Sequence, residues 1–311
     1  MRRPSIEQLE TRCQKPDHRR LGNWMARRVT RPMALRVTWV VAPWGLSAGA
    51  ATLLAWVCGA ASAVALAWGT PAGWLLGALL LQLWYLLDHV DGQLARLRET
   101  SSLDGVQLDY LMHHTMNLII PLGVGHGVFA ASGQATWLWI GTVWGVAALL
   151  ITLHHDARYK AFTKRLKRLR GTLQVHGGGG GRPEPQPSMP RRPLRLAAWL
   201  ARKLCEMHVV MNLLGLLAVA VWLLGDDHLR LGRVYLVLMA TVALVVAIAA
   251  VIRSQCNEAA EHEFAAWYRP APGDQLVYRE GWWIVKSTGN AGGTASRPDE
   301  KDGQLGTTES Y

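Results

Sequence analysis

Four stretches of this 311-residue chain, 37–87, 110–155, 207–225 and 234–252, contain no Asp, Glu, Lys or Arg. That absence excludes an ordinary soluble domain, which spreads charge over its surface. About 20 consecutive apolar residues suffice to cross a bilayer. The first two runs are each long enough for two crossings and the last two for one, so six spans are expected. Cysteine is scarce too. Cys13, Cys58, Cys205 and Cys256 lie far apart without ligand spacing, which excludes a zinc framework and leaves unpaired thiols. There is no internal repeat and no heptad pattern. The first apolar run is too long, and its basic leader too extended, for a cleavable signal peptide.

What is present fits that frame. "WGTPAG" (68–73) and "ASGQAT" (131–136) break the two long runs with turn-forming residues, and "GDDHLRLGR" (225–233) joins spans five and six. Basic residues crowd residues 1–36 and 156–206, while the three short loops hold only Arg230 and Arg233. The excess of Lys and Arg puts those two segments, and both termini, in the cytoplasm of a multi-pass cell (inner) membrane protein. The net charge of +11 then needs no nucleic acid, because basic rims suit the anionic headgroups of membrane lipids.

The expected fold class is all-α: six transmembrane helices preceded by an amphipathic interfacial helix. Residues 1–36 form a basic arm, in which Trp24, Met25, Val29, Met33 and Leu35 alternate with arginines. Residues 37–253 form the membrane domain, interrupted at 171–193 by a Gly/Pro-rich linker. Residues 254–311 form a largely disordered tail with one short hairpin at 275–286. Trp44, Trp68, Trp74 and Trp137 suit interfacial belts. Glu206, His208 and Asn212 form a polar stripe entering span five, read as helix-to-helix hydrogen bonding. His89, His114 and His126 read as packing or interface residues, and "HHDAR" (154–158) as a solvated boundary.

Chemistry concentrates in "DHVDGQLARLRETSSLDGVQLDYLMHH" (88–114). Asp88 and Asp91 share one helical face at the end of span two. Gly92 and Ala95 leave gaps where a ligand can approach closely, and Arg96 offers a fork-shaped cation for phosphate. "SSLD" (101–104) has capping-box spacing, so span three starts there. Gly105, Asp109 and His113 then recur every fourth residue. Carboxylates this close repel one another, and a divalent cation relieves the repulsion; oxygen ligands favour Mg²⁺, Mn²⁺ or Ca²⁺. Metal, arginine and small-residue gaps point to a diphosphate ligand and phosphoryl transfer.

At these residues the chain resembles the CDP-alcohol phosphotransferases, whose signature is Asp-x2-Asp-Gly-x2-Ala-Arg-x8-Gly-x3-Asp-x3-Asp. Asp88, Asp91, Gly92, Ala95, Arg96, Gly105 and Asp109 match it, and His113 stands at the last aspartate. The resemblance implies a six-helix bundle, often a homodimer, with its site open to the cytoplasm. It implies a CDP-linked lipid or alcohol donor, commonly CDP-diacylglycerol, an alcohol acceptor and release of CMP. On this carry-over Asp88, Asp91, Asp109 and His113 hold one or two Mg²⁺ or Mn²⁺ ions. Gly92, Ala95, Arg96 and Gly105 admit the CDP moiety, and His113 with Asp109 is catalytic. The histidine changes the charge balance, which weakens a second metal; a neutral imidazole serves as ligand or base near pH 7. A non-catalytic member binding nucleotide or lipid, a membrane scaffold, and a transporter with an acidic cation site are the alternatives. A transporter places its acids near mid-membrane, whereas these lie at a rim.

Overall fold

The computed structural model describes residues 5–14, 18–20, 22–176 and 189–287. Among the described residues six helices are long and apolar enough to cross a membrane, the layout of a multi-pass membrane protein: α3 (Ala48–Ala67), α4 (Pro71–Leu97), α5 (Leu103–Ser132), α6 (Thr136–Leu166), α8 (Met207–Leu224) and α9 (Arg230–Cys256). Large apolar side chains such as Leu53, Leu79, Leu216 and Val245 stay exposed on their outer faces, as helices bathed in hydrocarbon require. Ahead of them lie α1 (Ile6–Cys13) and α2 (Arg31–Val41), with a π-turn at Ala26–Thr30. α7 (Pro193–Leu204) precedes α8, and α10 (Ala259–Trp267) follows α9.

Local chemistry sets the helix ends. Ser47, Thr70 and Ser102 cap α3, α4 and α5 by accepting from the backbone N–H three residues on. The cap of α5 is therefore Ser102 and not the expected Ser101; Gly105 takes the third position, so no reciprocal capping box closes. Span one also starts later than its charge-free run. Residues 37–41 complete α2, a 3₁₀ turn at Ala42–Trp44 follows, and Gly45 at φ +77° ends it before α3.

Five of the long helices and α6 as far as Lys160 lie in a first compact unit, where α3 packs on α4 and α5, and α4 on α8 and α2. α3 and α5 approach so closely that a Cβ on Gly123 would stand 2.4 Å from the Ala63 carbonyl oxygen, and one on Gly127 2.1 Å from that of Leu66. This four-residue repeat of glycine is the small-residue contact by which helices associate without a hydrophobic driving force. Trp74 is not interfacial as expected. It is fully buried, its ring slotted beside Gly127 and Gly232. α1 docks through Leu9 and Cys13 against Leu35, beside Trp39 and Leu97. Burial pushes the Cys13 thiol up, so it packs as an apolar group.

A second compact unit holds the short strands. β4 (Asp274–Arg279) and β5 (Trp282–Ser287) form the expected hairpin, turning through Glu280 and Gly281 at positive φ. β1 (Leu169–Arg170) adds to β5 in parallel. β2 (Gln174–Val175), inside the segment read as linker, pairs with β3 (Tyr268–Arg269). Residues 254–287 are thus folded where a largely disordered tail was expected. The reason is aromatic: Arg165 lies over Phe264 and Trp283, and Arg170 over Trp282, stacking that polar composition conceals. Residues 177–188 of the expected linker and 288–311 of the expected tail lie outside the described residues.

Candidate active site

The last three turns of α4 and the first three of α5 carry the acidic stretch, joined by the short segment 98–102. Arg98 ties that connection down by donating to the carbonyls of Gly45 (3.2 Å) and Ala42 (3.1 Å). With the connection held and α3 packed against both helices, Asp88 on α4 meets Asp109 and His113 on α5. His113 Nε2 lies 2.9 Å from Asp88 Oδ1 and 3.4 Å from Asp109 Oδ1. The buried Trp84 ring stands edge-on to the imidazole, with centroids 5.5 Å apart, and limits its rotation. One ligand atom from each of Asp88, Asp109 and His113 falls within 4.8 Å of the others.

Asp91 is held differently. It is buried, and Thr52 of α3 donates to its Oδ2 at 2.7 Å. It faces the same cavity, of about 190 Å³, that Asp88, Asp109 and His113 line. It does not join their three-residue cluster. Beside it the buried Gln93 accepts from Thr38 (2.8 Å) and donates to the Arg31 carbonyl (3.3 Å), pinning α2 to α4. His89 Nδ1 bonds back to the Tyr85 carbonyl at 2.9 Å, and the Tyr85 hydroxyl accepts from Asn23.

The expected CDP contacts divide. Gly92 and Arg96 line the cavity, whereas Ala95 and Gly105 do not. Gly105 sits exposed in the first turn of α5, its N–H taken by Ser102 Oγ. At Gly92 the gap is occupied by Arg96, whose Nη1 lies 3.3 Å from where a Cβ would stand. Arg96 Nε donates to the carbonyl of Cys13. Five residues on or beside the cavity were missed by the sequence reading: Gln14, Arg31, Gln93, Thr52, and His89, which was read as packing yet lines the cavity 3.5 Å from Asp88. Nothing marks them beforehand. Arg31 is one arginine in a basic arm, and Thr52 is one hydroxyl in an uncharged run.

Other polar groups pair off elsewhere. Gln82 of α4 donates to Asn212 of α8 at 3.2 Å, the helix-to-helix bond expected of that stripe. His114 bridges α5 to α6, with Nε2 2.8 Å from Asp156 Oδ2 and Nδ1 3.1 Å from Thr152 Oγ1. A larger cavity of about 280 Å³ between α6 and α9 is lined by apolar residues and two threonines, and offers no group for catalysis.

The three carboxylates and the imidazole form a hard-oxygen and nitrogen donor set suited to a divalent cation. In the structure His113 Nε2 lies between two carboxylates, 2.9 Å from Asp88 and 3.4 Å from Asp109.

Residues 46–175 match the model of the family described as CDP-alcohol phosphatidyltransferase. The match runs from just before α3 into β2 and encloses every site residue from Thr52 to His113. That family implies transfer of a phospho-alcohol group from a CDP-alcohol. No curated protein matches the chain.

Proposed function

We propose, from a CDP-alcohol phosphatidyltransferase domain at residues 46–175 and the acids it carries, that the protein transfers a phosphatidyl or similar phospho-alcohol group from CDP-diacylglycerol or a related donor to an alcohol acceptor, releasing CMP in phospholipid synthesis. The observation that carries this reading is the convergence of Asp88, Asp109 and His113 from two helices onto one cavity with Asp91. On this reading the protein sits in the cell (inner) membrane with both termini and the cavity on the cytoplasmic side, the side that the excess of Lys and Arg favours. A homodimer remains the expected assembly.

The donor set fits Mg²⁺ or Mn²⁺, with Asp88, Asp109 and His113 as the holding residues and Asp91 beside them. Bound there, the ion would withdraw charge from the donor's diphosphate and stabilise the leaving CMP. The chain's own groups do the rest. Thr52 holds Asp91 in one rotamer, so its second oxygen has a fixed direction. Trp84 stands edge-on against the imidazole and restricts its rotation. The acceptor hydroxyl attacks the β-phosphorus, the bond to the CMP oxygen breaks, and the hydroxyl proton passes to a base on the chain. His113 Nε2, when unprotonated, is placed for that task; Asp109, 3.4 Å away, is the adjoining acceptor.

One observation favours a second reading, that of a non-catalytic member binding nucleotide or lipid. His113 Nε2 already pairs with both Asp88 and Asp109, at 2.9 and 3.4 Å, so the two carboxylates have a side-chain partner within the chain. Purified protein in lipid nanodiscs, given labelled CDP-diacylglycerol, Mg²⁺ or Mn²⁺ and a panel of alcohols, separates the two. Release of CMP with a new lipid of matching mass supports the enzyme. CDP binding with no CMP release across the panel overturns it in favour of the second reading.

A further inference from the structure

The helix that leads into α8 buries none of its residues. α7 (Pro193–Leu204) packs on α9 and α8, and only one side of it is covered. Leu196, Trp199 and Lys203 recur at helical spacing and are half-buried. Leu194, Ala197 and Ala198, with Leu200 beside them, form an apolar strip that stays exposed; Leu194 is 85% exposed. Arg195 and Arg202, two turns apart, run along one edge of that strip, and Arg191 and Arg192 stand just ahead of the first turn. No acid lies between Met189 and Cys205. Lys203 pairs with Glu206 at 2.6 Å, whereas the four arginines have no ion pair among the described residues. In water a helix of 12 residues is too short to hold itself, and exposed leucines add nothing to it. Position decides what covers the strip. α8 starts at Met207, so Leu204 lies within about 11 Å of the start of a span. The extended backbone of Glu206 (ψ 128°) breaks the rod between them, so α7 does not continue α8. A helix held that close to a bilayer, with an apolar strip edged by unpaired arginines, matches a leaflet whose acyl region begins beneath a layer of phosphates. A protein partner would need an apolar face and acids in the same register; the leaflet supplies both along the whole helix.

We propose that α7 is a docking surface for anionic phospholipid. Its Leu194, Ala197 and Ala198 strip enters the leaflet at the N-terminal end of α8, and Arg191, Arg192, Arg195 and Arg202 bind the headgroup phosphates. The inference stands on the spans and on α7 itself, and is independent of the transfer chemistry.

The test places full-length protein, one copy per nanodisc, in phosphatidylcholine alone or mixed with phosphatidylglycerol. Amide hydrogen exchange of the peptide covering 193–204 is followed by mass spectrometry. Exchange should be about tenfold slower with phosphatidylglycerol, as several arginines beside anionic headgroups imply. Arg195→Gln combined with Arg202→Gln should erase most of that difference, and added salt should shrink it. Leu194→Gln, which keeps a good helix former, should speed exchange in both lipids. All three positions are exposed, so the variants should keep the parent's thermal midpoint. Exchange within twofold between the two lipids overturns the proposal, and so does a difference that survives the double substitution. Unchanged exchange in Leu194→Gln overturns insertion of the strip. Slow exchange that appears only when a disc holds two copies overturns the lipid in favour of a second chain as occupant. None of these readings needs turnover, so a chain that shows the lipid response yet releases no CMP overturns the transferase reading and leaves the docking surface standing.

Discussion

The two ends of α5 are built on opposite rules. From Gly123 to Gly127 the helix gives up side chains so that its backbone can lie against the carbonyls of α3. From Asp109 to His113 it does the reverse, extending polar side chains across a cavity toward α4. The first end is bonded by contact area and tolerates nothing larger than hydrogen. The second is bonded by a few oriented atoms and holds open space. A rigid seam at one end of a rod sets where the other end points, so the glycines act on the chemistry at a distance without touching it. Substitutions at the two ends should therefore fail in different ways.

The largest effect is expected at the seam. A side chain at Gly127 would place its Cβ 2.1 Å from the Leu66 oxygen, in conflict with backbone on one side and with the Trp74 indole at 3.0 Å on the other. Gly127→Leu should cost on the order of 4 kcal/mol or more, the range of severe overpacking. The variant should elute as aggregate or fail to accumulate, read by gel filtration after extraction. A monodisperse Gly127→Leu with the parent's thermal midpoint would show that the seam does not hold α5.

At the other end the expectation is inverted. Asp109→Asn keeps the volume and removes a half-exposed charge that no packing depends on. Its thermal midpoint should stay within a few degrees, while CMP release falls on the order of a thousandfold, as for loss of an oriented charge at a reacting centre. His113→Ala should abolish turnover, and His113→Asp, which puts a third carboxylate beside Asp88 and Asp109, should keep or raise it. Unchanged turnover in His113→Ala removes the imidazole from the mechanism and favours the non-catalytic reading.

Thr52 sharpens the comparison, because it belongs to the seam helix α3 yet serves the site. Its hydroxyl lies 2.7 Å from Asp91 and 3.1 Å from the Ala48 carbonyl. Thr52→Val preserves shape and deletes the bond that orients the carboxylate. Groups that orient a metal-binding side chain typically matter by ten- to a hundredfold. A roughly tenfold loss of Mg²⁺ affinity by titration calorimetry is expected, with a stability change of about 1–2 kcal/mol for the unpaired carboxylate. No change in Mg²⁺ affinity would make Asp91 a structural acid.

These differences explain which features sequence can show. Span number was legible because absence of charge over long runs has one common cause. The meeting of Asp88, Asp109 and His113 was legible because helical spacing and a short connection suffice to place them. Span one's start was not, since residues 37–44 are as apolar as the helix that follows, and only Gly45 marks the break. Trp74 misled because a tryptophan near a span end reads as a belt residue until two distant glycines are seen to make its slot. Thr52 and Arg31 could not be picked out at all. Their role depends on which hydroxyl and which arginine the packing turns inward, information held in tertiary contacts rather than in residue type. Residues 254–287 misled for a related reason: stacking between arginine and aromatic rings stabilises a segment whose composition is polar.

The smallest effect belongs to the arm, which resembles neither end of α5. Glu10 accepts from Arg19 (2.9 Å) and lies 3.0 Å from His18 Nε2; the hydrogen bonds to Arg19 and then His18 hold its carboxyl below the usual range. A carboxylate with a depressed folded-state value stabilises above its unfolded value, near 4.3, and that contribution is lost as pH falls through the folded one. Because Arg19 is largely solvent-exposed, the contribution should stay under about 1 kcal/mol and shrink with added salt. Glu10→Gln should make limited proteolysis of the arm slightly faster at pH 7, with the difference from the parent fading below pH 4 while turnover at saturating substrate stays within twofold. If Glu10→Gln instead weakened CDP binding at pH 7 tenfold, the His18–Arg19 turn would be setting Arg31, which lines the cavity and donates to the His18 carbonyl, and the arm would count as part of the site's oriented half.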